Sequence, residues 1–227
     1  DRSPSMAFAS KTARDSKLER GLIVTFALAE LLVAGGERVG IPGLMNPSAS
    51  RRVIDKMAQA MLHDSASRAS LPPSFVPSQL AEIVVLSDFW SPMPEIRTML
   101  AGLSASGAHG TLVQIVDPAE ETFPYAGRIE FVEPEGGGVI TAGRAESWAS
   151  DYVARVARHR DDVGELARLL LGESALGDPL RAEADARRSR RAFVAGDRVA
   201  IDPHPHHVQD ASRLIAAEFR PIHADDR

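Results

Sequence analysis

Hydrophobic positions along the first half of the chain follow helical and strand periodicities in turn. Apolar residues recur every three or four positions after Ser16, whose spacing from Glu19 is that of a capping box, so a helix is predicted to begin there and to end at Gly35 and Gly36. The predicted elements are, in order, a helix over 16–36, a strand over 38–44, a helix over 51–62, a strand over 83–86, a helix over 92–106 and a strand over 110–116. This alternation predicts an α/β fold with a doubly wound, mostly parallel sheet and helices on both faces.

The next part of the chain has a different order of elements. Strand-like segments over 127–132 and 139–141 flank the turn residues 135–138, which predicts a β-hairpin. Apolar residues at helical spacing over 145–171 predict a long C-terminal helix.

After residue 172 the chain changes character. The basic residues at 187–191 are followed by prolines and histidines at 203–207, which break any regular element. We predict one domain over residues 1–171 and a divergent or poorly ordered tail over residues 172–227. The tail histidines are candidates for transition-metal binding, although an exposed tail is the favoured interpretation because no cysteine or acidic cluster completes a site. These histidines are His204, His206 and His207.

Composition narrows the class of protein. Hydrophobic residues make up 44% of the 227 residues, which indicates a globular chain, and the formal net charge of −5 predicts that nucleic acid is not a partner. There is no cysteine, which excludes disulfides, thiolate metal sites and a cysteine nucleophile. No signal peptide is visible, and the longest apolar run, residues 21–36, is too short to span a bilayer. We predict a cytoplasmic protein with no membrane segment in this chain; a membrane anchor in a preceding part of the protein stays open.

Two polar segments are candidates for chemistry. Asp1, Ser3 and Ser5 alternate along a turn before the first helix, and Asp88 follows the strand over 83–86. The carboxyl ends of parallel strands meet at one edge of a sheet, so these residues are expected to lie together. Two carboxylates and two hydroxyls form the oxygen-only set that Mg²⁺ prefers, and Mn²⁺ can substitute for it. The pattern therefore predicts a Mg²⁺ site, with a polar turn that only caps the first helix as the alternative.

The motif Asp1-x-Ser3-x-Ser5, with Asp88 after a hydrophobic strand, resembles the metal-ion-dependent adhesion site of von Willebrand factor A domains. The closer resemblance, over roughly residues 1–171, is to the bacterial branch of that fold called domain of unknown function fifty-eight. It is carried by residues 16–19, 36–40 and 86–89, and most specifically by the Asp-Pro-x-Glu-Glu stretch within 113–128. Members are often encoded beside MoxR-type AAA+ ATPases, so the resemblance implies a partner of that class.

The resemblance also implies how such a site works. Asp1, Ser3, Ser5 and Asp88 hold the Mg²⁺ ion directly or through water, and the ion bridges to an acidic side chain of the partner. A threonine from a loop between the two motifs usually joins them, but no threonine lies between residues 25 and 98. The candidates to replace it are Ser65, Ser67 and Ser70.

The resemblance implies one further feature of the fold. The central strand of the family comes immediately before the first aspartate of the motif. We therefore expect this chain to be truncated at its N-terminus, beginning inside the motif with the first strand missing.

No recognised catalytic motif accompanies these segments. The chain has no Gly-x-Ser-x-Gly, no phosphate-binding glycine loop before a helix and no His-Glu-x-x-His. The predicted function is therefore a non-enzymatic protein-interaction domain. Two alternatives stay open: a metal-free scaffold of the same fold that uses Trp90 and the loop after Asp117 as contacts, and a hydrolase with Asp1 as nucleophile.

Overall fold

A computed structural model of the protein describes residues 1–64, 71, 75, 77, 81–134 and 138–172, together with the backbone of residues 218–219. Its helices are α1 (Lys17–Ala34), α2 (Val53–His63), α3 (Met93–Ala105), α4 (Pro118–Thr122) and α5 (Ala149–Leu171). Its strands are β1 (Val39–Ile41), β2 (Met45–Ser48), β3 (Glu82–Ser87), β4 (His109–Gln114), β5 (Ile129–Val132), β6 (Val139–Ala142) and β7 (Glu218–Phe219). Short 3₁₀ helices, Pro4–Ala7 and Ala145–Trp148, precede α1 and α5.

The first long helix has the predicted ends. The Glu19 side chain accepts a hydrogen bond from the Ser16 backbone N–H at 2.8 Å, and the Ser16 hydroxyl accepts one from the Glu19 backbone N–H at 3.2 Å. This reciprocal pair satisfies N–H groups that have no partner within the helix. After α1, Gly36 adopts a positive φ of 91°, a conformation that turns the chain away from the helix. The capping-box prediction is confirmed.

A parallel pair, β3 and β4, lies at the centre of the fold. The register runs from Glu82 opposite His109 to Ser87 opposite Gln114. Helices α3 and α5 pack together against one face of this pair, and their apolar side chains join those of the strands in one core. Its buried members include Val85, Ile96, Leu100, Leu112, Val163 and Leu166. The predicted strands over 83–86 and 110–116 and the helix over 92–106 are confirmed.

The single strand predicted over 38–44 is wrong. The chain instead forms an antiparallel hairpin of β1 and β2, with a turn in which Gly43 has a φ of 76°. Gly40 allows the two strands to approach closely, because a Cβ atom there would lie 2.7 Å from the Met45 carbonyl oxygen. This segment therefore adds no strand to the parallel pair.

The second half of the fold surrounds an aromatic core. β5 and β6 form the predicted antiparallel hairpin, and the backbone of β7 pairs antiparallel with the other edge of β5. The aromatic side chains between this sheet and α5 are Phe123, Phe131, Tyr152 and Trp90, with Trp148 and Tyr125 partly buried beside them. The loop after β4 contains the short helix α4.

The mixed α/β class, the hairpin and the long C-terminal helix are confirmed. The described residues contain one parallel pair, so the doubly wound, mostly parallel sheet stays a prediction. The predicted tail, residues 172–227, lies outside the described residues except for Gly172 and the backbone of β7, and His204, His206 and His207 fall there. Among the described residues, no helix combines the length and apolar character needed to cross a membrane.

Candidate functional site

The start of the chain lies against the carboxyl end of β3. The Asp1 amino group donates a hydrogen bond to the Leu86 carbonyl oxygen at 2.9 Å. The Asp1 carboxylate accepts hydrogen bonds from the Ser87 hydroxyl at 2.6 Å and from the Ser3 backbone N–H at 2.8 Å. The first predicted motif is therefore held directly beside the second, as expected for loops at one edge of a sheet.

Ser3 and Ser5 lie in the turn that follows. Their hydroxyl oxygens are 2.9 Å apart, so one hydroxyl donates to the other. Ser3 is buried, whereas Asp1 and Ser5 are half-buried. We define the polar edge as Asp1, Ser3, Ser5 and Ser87. It is a hydrogen-bonded group of one carboxylate and three hydroxyls, of which Ser3 and Ser87 are buried and Asp1 and Ser5 are half-buried.

Arg2 fastens this turn to the end of α2. Its guanidinium forms an ion pair with Asp64 and donates a hydrogen bond to the Met61 carbonyl oxygen at 2.9 Å. Met6, which is 1% exposed, anchors the following 3₁₀ helix in the interior. The turn is therefore fixed by contacts on both sides of the polar edge.

Asp88, the fourth predicted ligand, is paired with a lysine. The Lys17 ammonium lies 2.9 Å from Asp88 Oδ2 and 2.6 Å from Glu120 Oε1. The side chains of Lys17 and Asp88 are each 3% exposed. The other oxygen of Asp88 accepts a hydrogen bond from the Trp90 backbone N–H at 3.2 Å. We refer to Lys17, Asp88 and Glu120 as the lysine cluster.

Electrostatics keep the lysine of this cluster charged. Burial alone would lower the pKa of Lys17, but the carboxylates of Asp88 and Glu120 outweigh burial and raise that pKa above its usual value. Burial raises the pKa of Glu120, the Lys17 ammonium opposes this effect, and Asp88 adds to it. The two carboxylates therefore favour the charged form of Lys17.

The short helix α4 brings Glu120 to Lys17. Asp117 and Glu120 form a capping box, in which Asp117 Oδ1 accepts from the Ala119 N–H and Glu120 Oε2 accepts from the Asp117 N–H. Asp117 Oδ2 accepts a second hydrogen bond, from the Ser10 backbone N–H at 2.8 Å. The acidic residues after β4 therefore accept hydrogen bonds from backbone N–H groups and from the buried Lys17 ammonium.

Of the two interpretations of Trp90, an exposed contact and a packed core residue, its burial confirms the core residue. It is 4% exposed and its ring lies 5.5 Å from that of His159 on α5, centroid to centroid. His159 Nε2 is 2.7 Å from the Phe89 carbonyl oxygen, and this nitrogen carries the proton because a carbonyl oxygen only accepts. Phe89 holds a left-handed φ of 54° that turns the loop between Asp88 and Trp90.

The four predicted metal ligands do not fit a Mg²⁺ ion together in this arrangement. Asp1, Ser3 and Ser5 supply suitable oxygen atoms close to one another. The oxygens of Asp1 and those of Asp88 all accept hydrogen bonds, but only Asp88 has a cation, the Lys17 ammonium, among its donors. Within the described ranges, no group of three or more histidine, aspartate or glutamate side chains is suited to a metal ion. The three serines that could replace the threonine, Ser65, Ser67 and Ser70, lie outside those ranges.

Two residues of the site escaped prediction. Lys17 is charged yet buried at the first position of α1, and Glu120 lies 103 residues away in sequence. The capping-box spacing of Asp117 and Glu120 is a visible local signal for α4, but nothing in that spacing identifies the lysine that Glu120 contacts.

Comparison with known proteins gives a family match for the first part of the chain. The model of the family described as "Protein of unknown function DUF58" matches residues 1–162. Neither the curated proteins nor the solved structures give a match.

Proposed function

This chain belongs to the DUF58 family, and we propose that it is a protein-interaction domain without catalytic activity of its own. Its contact surface is the polar edge. The observation that carries this proposal is the set of hydrogen bonds that fixes Asp1, Ser3 and Ser87 in one arrangement while Asp1 and Ser5 stay accessible. Polar groups that are already ordered lose little conformational entropy when a partner binds, which favours a recognition surface.

The finer proposal for the fold is a von Willebrand factor A-like, doubly wound sheet. The parallel pairing of β3 with β4 and the helices α3 and α5 fit such a sheet. The Asp1 amino group also donates a hydrogen bond to the carbonyl oxygen of Leu86, at the carboxyl end of β3.

The proposed partner is a MoxR-type AAA+ ATPase, on the strength of the family resemblance. The chemistry of the polar edge suits a protein partner, because its half-buried groups, the Asp1 carboxylate and the Ser5 hydroxyl, can exchange hydrogen bonds with backbone and polar side chains. A cytoplasmic location, where ATP is available to such an ATPase, completes this proposal.

The proposal has a Mg²⁺-assisted form and a metal-free form. In the first, Asp1, Ser3, Ser5 and Asp88 hold Mg²⁺ or Mn²⁺. In the second, the polar edge contacts the partner directly. The ion pair between Lys17 and Asp88 favours the metal-free form, because it engages the carboxylate that the Mg²⁺ ion needs.

A hydrolase that uses Asp1 as nucleophile is the weaker candidate. Both carboxylate oxygens of Asp1 already accept hydrogen bonds, from the Ser3 N–H and the Ser87 hydroxyl. These bonds stabilise the carboxylate and lower its tendency to attack.

Arginine substitutions test the proposed contact surface. Ser5→Arg places a bulky charge on the polar edge, and we expect it to weaken binding of the MoxR-type ATPase from the same genome by at least about tenfold, or about 1.4 kcal/mol. The matched control is Ala105→Arg at the exposed end of α3. Affinity is measured by titration calorimetry with the full chain. Equal affinity of the two variants would place the contact surface elsewhere, and no binding by the unsubstituted chain would exclude this class of partner.

A further inference from the structure

The Lys17 ammonium is a positive charge held between two carboxylates, one of which, Asp88, directly follows Ser87 of the polar edge. The ammonium contacts a carboxylate from the loop after β3 and another from α4, at 2.9 Å and 2.6 Å. Two carboxylates around one buried positive charge resemble the ligand arrangement of a metal ion, with the charge supplied by the chain itself. Asp88, which would complete the predicted Mg²⁺ site, is one of these two.

A divalent ion at Asp88 would lie close to the Lys17 ammonium, and the two positive charges would repel each other. The Oδ2 atom of Asp88 accepts a hydrogen bond from the Lys17 ammonium, and each of these two side chains is only 3% exposed. Solvent therefore screens repulsion between two cations only weakly at this place. The Oδ1 atom is held by the Trp90 N–H. Binding of Mg²⁺ at Asp88 is therefore opposed as long as the Lys17 ammonium stays in place.

The fold opposes the departure of Lys17. The residue is the first of α1, directly after the capping box that fixes its backbone. The Phe8 ring lies 5.8 Å from the ammonium, within reach of a cation–π contact. If the lysine left, Asp88 and Glu120 would remain as two buried carboxylates without a counter-charge.

We infer that Lys17 is the resident cation of this site and makes the polar edge independent of divalent metal ions. Lys17 is a positioning residue: its charge holds the loop after β3 and the helix α4 beside the turn of residues 1–5. The inference rests on the proposed function for the use of that edge in protein binding. Its test needs no partner, so its failure would be distinct from a failure of the proposed function.

The test is the melting temperature, Tm, of the full chain in EDTA and in rising concentrations of Mg²⁺ or Mn²⁺. The unsubstituted protein is expected to show the same Tm throughout. Lys17→Met keeps most of the side chain but removes the charge, so its Tm should fall in EDTA. Mn²⁺ or Mg²⁺ at about a hundredfold excess over Kd should then raise it by about 5–10 °C. Lys11→Met, at an exposed lysine, is the matched control and should behave as the unsubstituted chain.

The double variant Lys17→Met/Asp88→Asn separates a specific site from general ion effects. It lacks the carboxylate, so the rise in Tm with Mn²⁺ should disappear. A metal-dependent rise in the unsubstituted protein, or a Lys17→Met protein that is stable and indifferent to metal, would overturn the inference. If Lys17→Met does not fold in any of these conditions, the test is a Mn²⁺ titration of the unsubstituted chain, with bound and free Mn²⁺ distinguished by electron paramagnetic resonance. Stoichiometric binding would overturn the inference, and absence of binding would support it.

Discussion

Buried charges are tolerated when they are paired, and this rule explains the central residues of the molecule. Lys17 is buried only because two carboxylates face it, and Asp88 is buried only because Lys17 and the Trp90 N–H face it. The residue chosen from sequence as a metal ligand is therefore satisfied by its own chain. The same carboxylate side chain suits both roles, and only the position of Lys17 distinguishes them.

His159 gives a prediction at the residue scale. Burial lowers its pKa below the usual 6.5, although the Phe89 carbonyl and the carboxylates of Asp162 and Asp88 oppose the effect. The unfolded chain therefore takes up a proton before the folded chain does. The free energy of unfolding should fall as the pH drops below 6.5, and the loss should continue until the folded-state pKa is reached.

The measurement is urea unfolding at about pH 7.5 and about pH 5.5, which lie on either side of the unfolded-state pKa. His159→Gln removes the titrating group and should lose less stability on acidification than the unsubstituted protein. His109→Gln, at an exposed histidine, is the matched control. If the two variants show the same dependence on pH, His159 is not a source of acid sensitivity.

At the scale of elements, α4 is five residues long and depends on its cap. Asp117 is 3% exposed and accepts hydrogen bonds from the backbone N–H groups of Ala119 and Ser10. Asp117→Ala leaves both donors without their partner, so we expect the free energy of unfolding to fall by about 2–3 kcal/mol.

The control for this substitution is Asp117→Asn. Its Oδ1 atom can still cap α4, but its amide cannot accept from Ser10, so about half of the loss is expected. Urea unfolding of the two variants measures both values. Losses below about 0.5 kcal/mol, the range of ordinary surface substitutions, would show that α4 is held by other contacts.

Helices and strands that a short sequence pattern defines were predictable. The β1–β2 hairpin, which depends on backbone conformation and on the close approach of two strands, was not. The capping box at Ser16 and the apolar runs of β3 and β4 determined these elements from nearby residues alone. The β1–β2 hairpin was missed because its turn depends on a positive φ at Gly43 and on the approach allowed by Gly40. Neither requirement follows from hydrophobic periodicity.

At the scale of the whole molecule, the approach of the first turn to the end of β3 was predictable, but the pairing of Asp88 with Lys17 was not. Asp1 meets Ser87, the residue before Asp88, at the carboxyl end of β3 because the topology of parallel strands brings such loops together. The lysine cluster joins residues 71 and 103 positions apart, and no periodicity or spacing indicates such contacts. The burial of Trp90 was not predictable either, because it depends on how the side chain packs in the aromatic core.

The central claim is that the polar edge binds a protein partner and needs no divalent metal to do so. The most direct test is the affinity of the full chain for the MoxR-type ATPase, kept free of nucleotide, measured by calorimetry once in Mg²⁺ and once in EDTA. The account predicts equal affinities, with the Ser5→Arg variant weakened in both solutions. Binding that is present in Mg²⁺ and lost in EDTA would contradict it.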